Sequence, residues 1–143
     1  MSTVAIPVSR PWHLWTVAIL TLLWNGSGAV TILLAQAGKL AGISADEAAY
    51  YAAQPLWFVI STNIATLAPV AAGIALLLRS GLAVWLFALS LAFIIVNDVY
   101  DLVGGTSRAL ANQGALIVTI IIMVIAILQL VYSSAMKKRG VLR

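Results

Sequence analysis

Long uncharged stretches alternate with short charged ones along this chain, and their lengths set the architecture. Between Arg10 and Lys39 lie 28 consecutive uncharged residues, between Glu47 and Arg79 there are 31, between Arg79 and Asp98 there are 18, and between Arg108 and Lys137 there are 28. A helix rises ~1.5 Å per residue, so about 20 apolar residues cross a hydrocarbon core of about 30 Å. The spacing predicts four transmembrane helices over about 12–35, 56–78, 81–103 and 113–134.

The segments between them are short and carry their own signals. Ser44-Ala45-Asp46-Glu47 has the pattern of a capping box, in which Ser44 accepts from a helix amide and Glu47 reaches back, so a short helix over about 45–53 is expected. Its acids lie at the favourable end of the helix dipole, and Tyr50 and Tyr51 suit a headgroup layer, which lays the helix along the outer surface. Arg79-Ser80-Gly81 is so brief that the second and third spans must be antiparallel neighbours. The expected fold is therefore an all-α integral membrane protein, a single domain over 1–143. It is a four-transmembrane-helix antiparallel bundle with an amphipathic helix in the first loop.

Composition strengthens this reading. Hydrophobic residues make up 63% of the chain and charged ones 8%, against ~25% charged in soluble domains, and the mean hydropathy is +1.08. An ordinary water-soluble globule is excluded. The net charge of +4 does not call for nucleic acid, because four of the eight basic residues (Lys137, Lys138, Arg139 and Arg143) follow the last span, as positive-inside sorting requires. Arg10 and Arg79 add to the same side, so both termini are expected in the cytoplasm, with membrane lipids as surroundings. Arg10, the apolar run and Ala35-Gln36-Ala37 imitate a signal peptide, yet the run far exceeds the ~7 to 15 residues of such a segment, and an uncleaved span is expected. With no cysteine and His13 the only histidine, neither a metal nor a cofactor is expected. No catalytic constellation is recognisable, so the expectation is a protein that is not an enzyme.

Polar residues within the spans fall into stripes. Thr21, Asn25, Gly28 and Ala35 share one face of the first span, and Thr62, Thr66, Pro69 and Gly73 share one of the second with Asn63 beside it. Ser90, Asn97 and Asp101 align in the third beside Asp98, and Thr119, Ala126 and Ser133 align in the fourth, flanked by Gln129. Small and hydroxyl residues allow close helix approach, which makes Thr21, Gly28, Thr66, Pro69, Gly73, Ser90, Thr119 and Ala126 candidate packing positions. By depth, Asn25, Asn63, Asn97, Asp98 and Asp101 could converge on a polar pocket in the outer half of the bundle. For Asp98, three readings stand: solvation at the interface, a pair with Arg108 or Lys39, or a proton or solute site. Pro69 frees the carbonyl of Ala65 and disposes its helix to bend.

Several short motifs carry a resemblance. Trp24-Asn25-x-x-Gly28, Pro55-x-Trp57, Leu76-Leu77-Leu78-Arg79, the run from Leu82 to Leu91 and the ending Arg139-Gly140-Val141-Leu142-Arg143 resemble a family of small bacterial four-span proteins often labelled "sugar transporter". The likeness covers nearly the whole chain, departing at Thr31-Ile32, where relatives carry an acidic and an aromatic residue. It implies a bacterial cytoplasmic membrane and a small-solute, sugar-like transporter. Four helices leave little interior room, so such a transporter would act as a homo-oligomer. The alternative is a non-catalytic accessory or assembly subunit of a larger membrane complex.

Overall fold

The computed structural model describes residues 11–104 and 113–143. The third loop and its Arg108, together with Arg10, lie outside the described residues. Five helices follow in order: α1 (Trp12–Gln36), α2 (Ala45–Ala52), α3 (Leu56–Leu77), α4 (Leu82–Val103) and α5 (Gln113–Lys138). Among the described residues there is no strand, and α1, α3, α4 and α5 are long and apolar enough to span a membrane. The result is the four-span helical bundle that the charge spacing predicts.

The last helix is the one that departs most from its expected bounds. It continues to Lys138 rather than stopping near Ser134, because Lys137 and Lys138 are favourable at a helix C-terminus and nothing breaks the helix before Gly140. The loop helix has its expected cap: Ser44 Oγ accepts from the Glu47 amide at 3.2 Å and the Glu47 carboxylate accepts from the Ser44 amide at 3.0 Å.

Helix α3 is the centre of the bundle, packed against α1 on one side and α4 on the other, while α5 packs on α4. The contact with α1 is close at Gly73, where a built Cβ would lie 2.8 Å from Leu22 Cδ2 and 3.3 Å from Thr21 Cγ2. A side chain there would require the Leu22 side chain of α1 to move aside. The α1 glycine in the corresponding stripe, Gly28, has open space around its Cα instead.

The apolar core gathers at one end, where α1 and α4 begin and α3 and α5 finish. Leu14 and Ala18 of α1, Ala72, Ala75 and Leu76 of α3, Ala83 and Phe87 of α4 and Met136 of α5 form it. Val141 and Leu142, which follow α5, turn back and complete it, 4% and 3% exposed. All five basic residues from Arg79 onward in the described chain lie at this end, so it is called the basic end below. The opposite end carries α2 and the four acids Asp46, Glu47, Asp98 and Asp101 and is the acidic end.

Helix α3 continues through Pro69, which is buried and has no N–H to offer the carbonyl of Ala65. That carbonyl is taken instead by Ser90 Oγ of α4, which donates to it at 2.6 Å. The proline thus creates the acceptor that joins the two helices. Ser90→Ala is expected to leave the Ala65 carbonyl unpaired in an apolar setting and to lower stability by about 1–3 kcal/mol. In a Pro69→Ala background, where residue 69 regains its own N–H, the same change should cost well under half as much. Reversible unfolding of the four proteins in mild detergent, read as a double-mutant cycle, measures the difference.

Candidate functional site

The polar residues of the acidic half are distributed by their hydrogen bonds into separate groups. Ser61 Oγ of α3 donates to Asn97 Oδ1 of α4 at 2.5 Å, and Asn97 Nδ2 donates back to Thr62 Oγ1 at 3.3 Å. Thr66 Oγ1 in turn donates to the Thr62 carbonyl one turn away. A lipid-embedded amide needs such partners, because hydrocarbon supplies none. Asn97 therefore clamps α3 to α4 and uses both ends of its amide in doing so.

Asp101, one turn further along α4, accepts from the Tyr50 hydroxyl of α2, whose oxygen is 3.0 Å from each carboxylate oxygen. This ties the surface helix across the acidic end of the bundle. Asp98 is half-buried on α4 between Asn97 and Asp101. Around them an aromatic group closes the same end: the rings of Trp57 and Phe58 each lie 4.8 Å from that of Tyr100.

Asn25 and Asn63 stand apart from this group. Asn25 Nδ2 donates at 2.9 Å to the Thr21 carbonyl of its own helix. Asn63 is two residues from Ser61, about 200° around α3 at ~100° per residue, and lines an open groove of about 420 Å³ with Ile60, Ile64, Leu67, Ala68 and Ala71. Its Oδ1 is buried without a hydrogen-bond donor. Gln36 Nε2 and Gln54 Oε1 are also buried and unpartnered, but they sit at helix ends, whereas Asn63 lies seven residues inside α3, about 10 Å deeper.

Of the candidate packing positions, Thr21, Pro69, Gly73, Ser90 and Ala126 are buried, while Thr66 and Thr119 are half-buried. Two linking residues carry no signal that the sequence pattern isolates. Ser61 is one hydroxyl among many, and Tyr132 meets His13 at 2.7 Å between hydroxyl and Nδ1, closing α5 onto α1 across 119 residues. Among the described residues no group of three or more His, Cys, Asp or Glu could hold a metal ion.

The Tyr50 tie makes a measurable difference to α2. Tyr50→Phe removes the hydroxyl and keeps the ring, and is expected to raise amide hydrogen exchange over Ala45–Ala52 by about five- to tenfold, as loss of ~1 kcal/mol of local stability requires. Exchange in α3 and α4 should be unchanged.

Comparison with known protein families, with curated proteins and with solved structures finds no match to this chain.

Proposed function

We propose that this protein is a non-catalytic membrane subunit that works by side-on assembly with other membrane helices, either its own copies or those of a larger complex. The observation that carries this reading is Asn63. An amide about 10 Å below the start of α3, with its carbonyl oxygen unpartnered, lines a groove whose other walls are apolar. Lipid chains can supply no donor there, but a neighbouring helix can once the half-buried Asn63 side chain turns its amide into the groove, and polar side chains of this kind hold membrane helices together.

The groove also has a suitable shape for a helix. Ile60, Ile64, Leu67, Ala71, Ile74 and Leu78 recur at spacings of four and three along α3, the seam geometry of left-handed helix pairs. Ile60, Leu67, Ile74 and Leu78 are 45–75% exposed, so this side of α3 is open to a partner. The proposed setting is a bacterial cytoplasmic membrane, as the resemblance implies, and the distribution of Lys and Arg favours both termini on the cytoplasmic side.

A second reading, transport of a small sugar-like solute between copies, is favoured by one observation. Ser61, Thr62, Asn97, Asp98 and Asp101 are all in the acidic half of α3 and α4. In this structure Ser61, Thr62 and Asn97 hydrogen-bond one another, which is why assembly is preferred.

The test is association in lipid. Asn63→Leu should abolish oligomers or co-purifying subunits seen by native mass spectrometry and by energy transfer between labelled copies in vesicles, while the monomer's melting point stays equal or rises. A wild-type chain that is strictly monomeric and free of foreign subunits in both measurements overturns the assembly reading. Proteoliposome flux of small sugars that is lost in Asn97→Leu would favour transport instead.

A further inference from the structure

We propose that the basic end of the bundle is a binding site for the phosphate-bearing headgroup of an anionic phospholipid, centred on the turn between α3 and α4. The site is distinct from the Asn63 groove and does not rest on the assembly reading.

Charge is the first argument. Arg79, Lys137, Lys138, Arg139 and Arg143 lie together at this end, and all four acidic side chains of the chain, Asp46, Glu47, Asp98 and Asp101, are at the opposite end, roughly 30 Å away by the ~1.5 Å rise of α4. No side-chain counterion within the protein can reach them. The C-termini of α3 and α5 also point here, but each contributes only about half a negative charge. A single carboxylate on Arg143 would leave most of the cationic charge uncompensated.

The second argument is that these cations are placed rather than scattered. After α5, Gly140 adopts φ +71° and reverses the chain, so that Val141 and Leu142 enter the core and Arg143 meets the α3–α4 turn. There the Arg143 amide donates to the Arg79 carbonyl at 2.8 Å and Arg79 Nε donates to the Val141 carbonyl at 3.0 Å. The backbone of residue 143 is thereby locked to that of residue 79. Lys137 is held beside the same turn: its Cε would be 3.3 Å from a Cβ built on Gly81, and its Nζ lies 6.0 Å from the centre of the Trp85 ring. Three cations from three parts of the chain thus surround one short turn.

The third argument concerns what kind of anion fits. Leu78, Leu82, Trp85 and Leu89 are 75%, 56%, 68% and 43% exposed, and the last three follow one face of α4 directly beneath the turn. A headgroup at Arg79 and Lys137 would lay its acyl chains on that stripe, whereas a free phosphate would leave it unused. Basic pockets between helices at a membrane boundary recognise anionic lipids through this combination of charge and apolar contact.

Native mass spectrometry of the full chain from nanodiscs tests the proposal, comparing phosphatidylcholine alone with phosphatidylcholine containing phosphatidylglycerol or cardiolipin. Wild-type protein is expected to retain the anionic lipid preferentially. Lys137→Gln combined with Lys138→Gln, both exposed side chains outside the core, should weaken that retention on the order of 25-fold, from about fivefold for each charge removed. Lys39→Gln, at the other end, should leave it unchanged. Equal retention of neutral and anionic lipid, or no effect of the double substitution, overturns the site. A melting temperature raised as much by inorganic phosphate in neutral nanodiscs as by phosphatidylglycerol overturns the lipid headgroup as the ligand.

Discussion

The Ala65 carbonyl is the point on which the middle of the bundle turns. Proline at position 69 removes the amide that this carbonyl would have used, and in hydrocarbon the vacancy cannot be filled by solvent. Ser90 of α4 fills it at 2.6 Å, which fixes both the rotation of α4 about its own axis and its height against α3. With that rotation set, Asn97, seven residues further along and on the same face, arrives opposite Ser61 and Thr62. One more turn brings Asp101 to Tyr50 of the surface helix. In the other direction the same register places Phe87 and Ala83, one and two turns earlier, in the apolar core. A single freed acceptor therefore orders two full helices.

The two ends of the molecule are held by different physics. At the basic end, close apolar packing is sealed by Val141 and Leu142, and at the acidic end, hydrogen bonds join α2, α3 and α4. Membrane helices gain little from burying apolar surface against one another, because lipid tails are equally apolar. The core at the basic end depends instead on small residues: Ala18, Ala72, Ala75 and Ala83 bring backbones together, and Gly73, next to Ala72 and one turn from Leu76, does the same against α1. Exposed Ile, Leu and Val side chains cover the remaining sides, as lipid contact demands.

Much of this was legible in the sequence because charge is so costly in lipid. Arg79 and the uncharged runs on either side of it leave no other place for the α3–α4 turn, and Ser44 with Glu47 announces α2. The orphaned Ala65 carbonyl could be foreseen from Pro69 alone, but its partner could not, since that depends on which face of α4 meets α3. The same ignorance of helix rotation groups Asn63 with Asn97 on depth, although they occupy different faces of the bundle. The tail was harder still. Its lysines and arginines read as a positive-inside signal after the last span, and they conceal two apolar residues that the structure buries.

The fold-back of residues 140–143 bears on how the protein is made. Helices α1, α3 and α5 each end with amides of the two following residues bonded back into the last turn, and in α1 and α5 the residue with positive φ is a glycine, Gly38 and Gly140. In α3 it is Arg79 at φ +58°, a conformation that costs an arginine about 1 kcal/mol or more. The bonds that offset this, to Val141 and Arg143, come from residues more than sixty positions later. During synthesis the α3–α4 hairpin therefore forms before the residues that supply these bonds, and before the Arg143 carbonyl that accepts from the Gly81 amide. Only after α5 has threaded the bilayer does the tail close the turn. The hairpin is thus an incomplete structure for as long as the last span is missing, which makes insertion of α5 the step that commits the bundle to its final form.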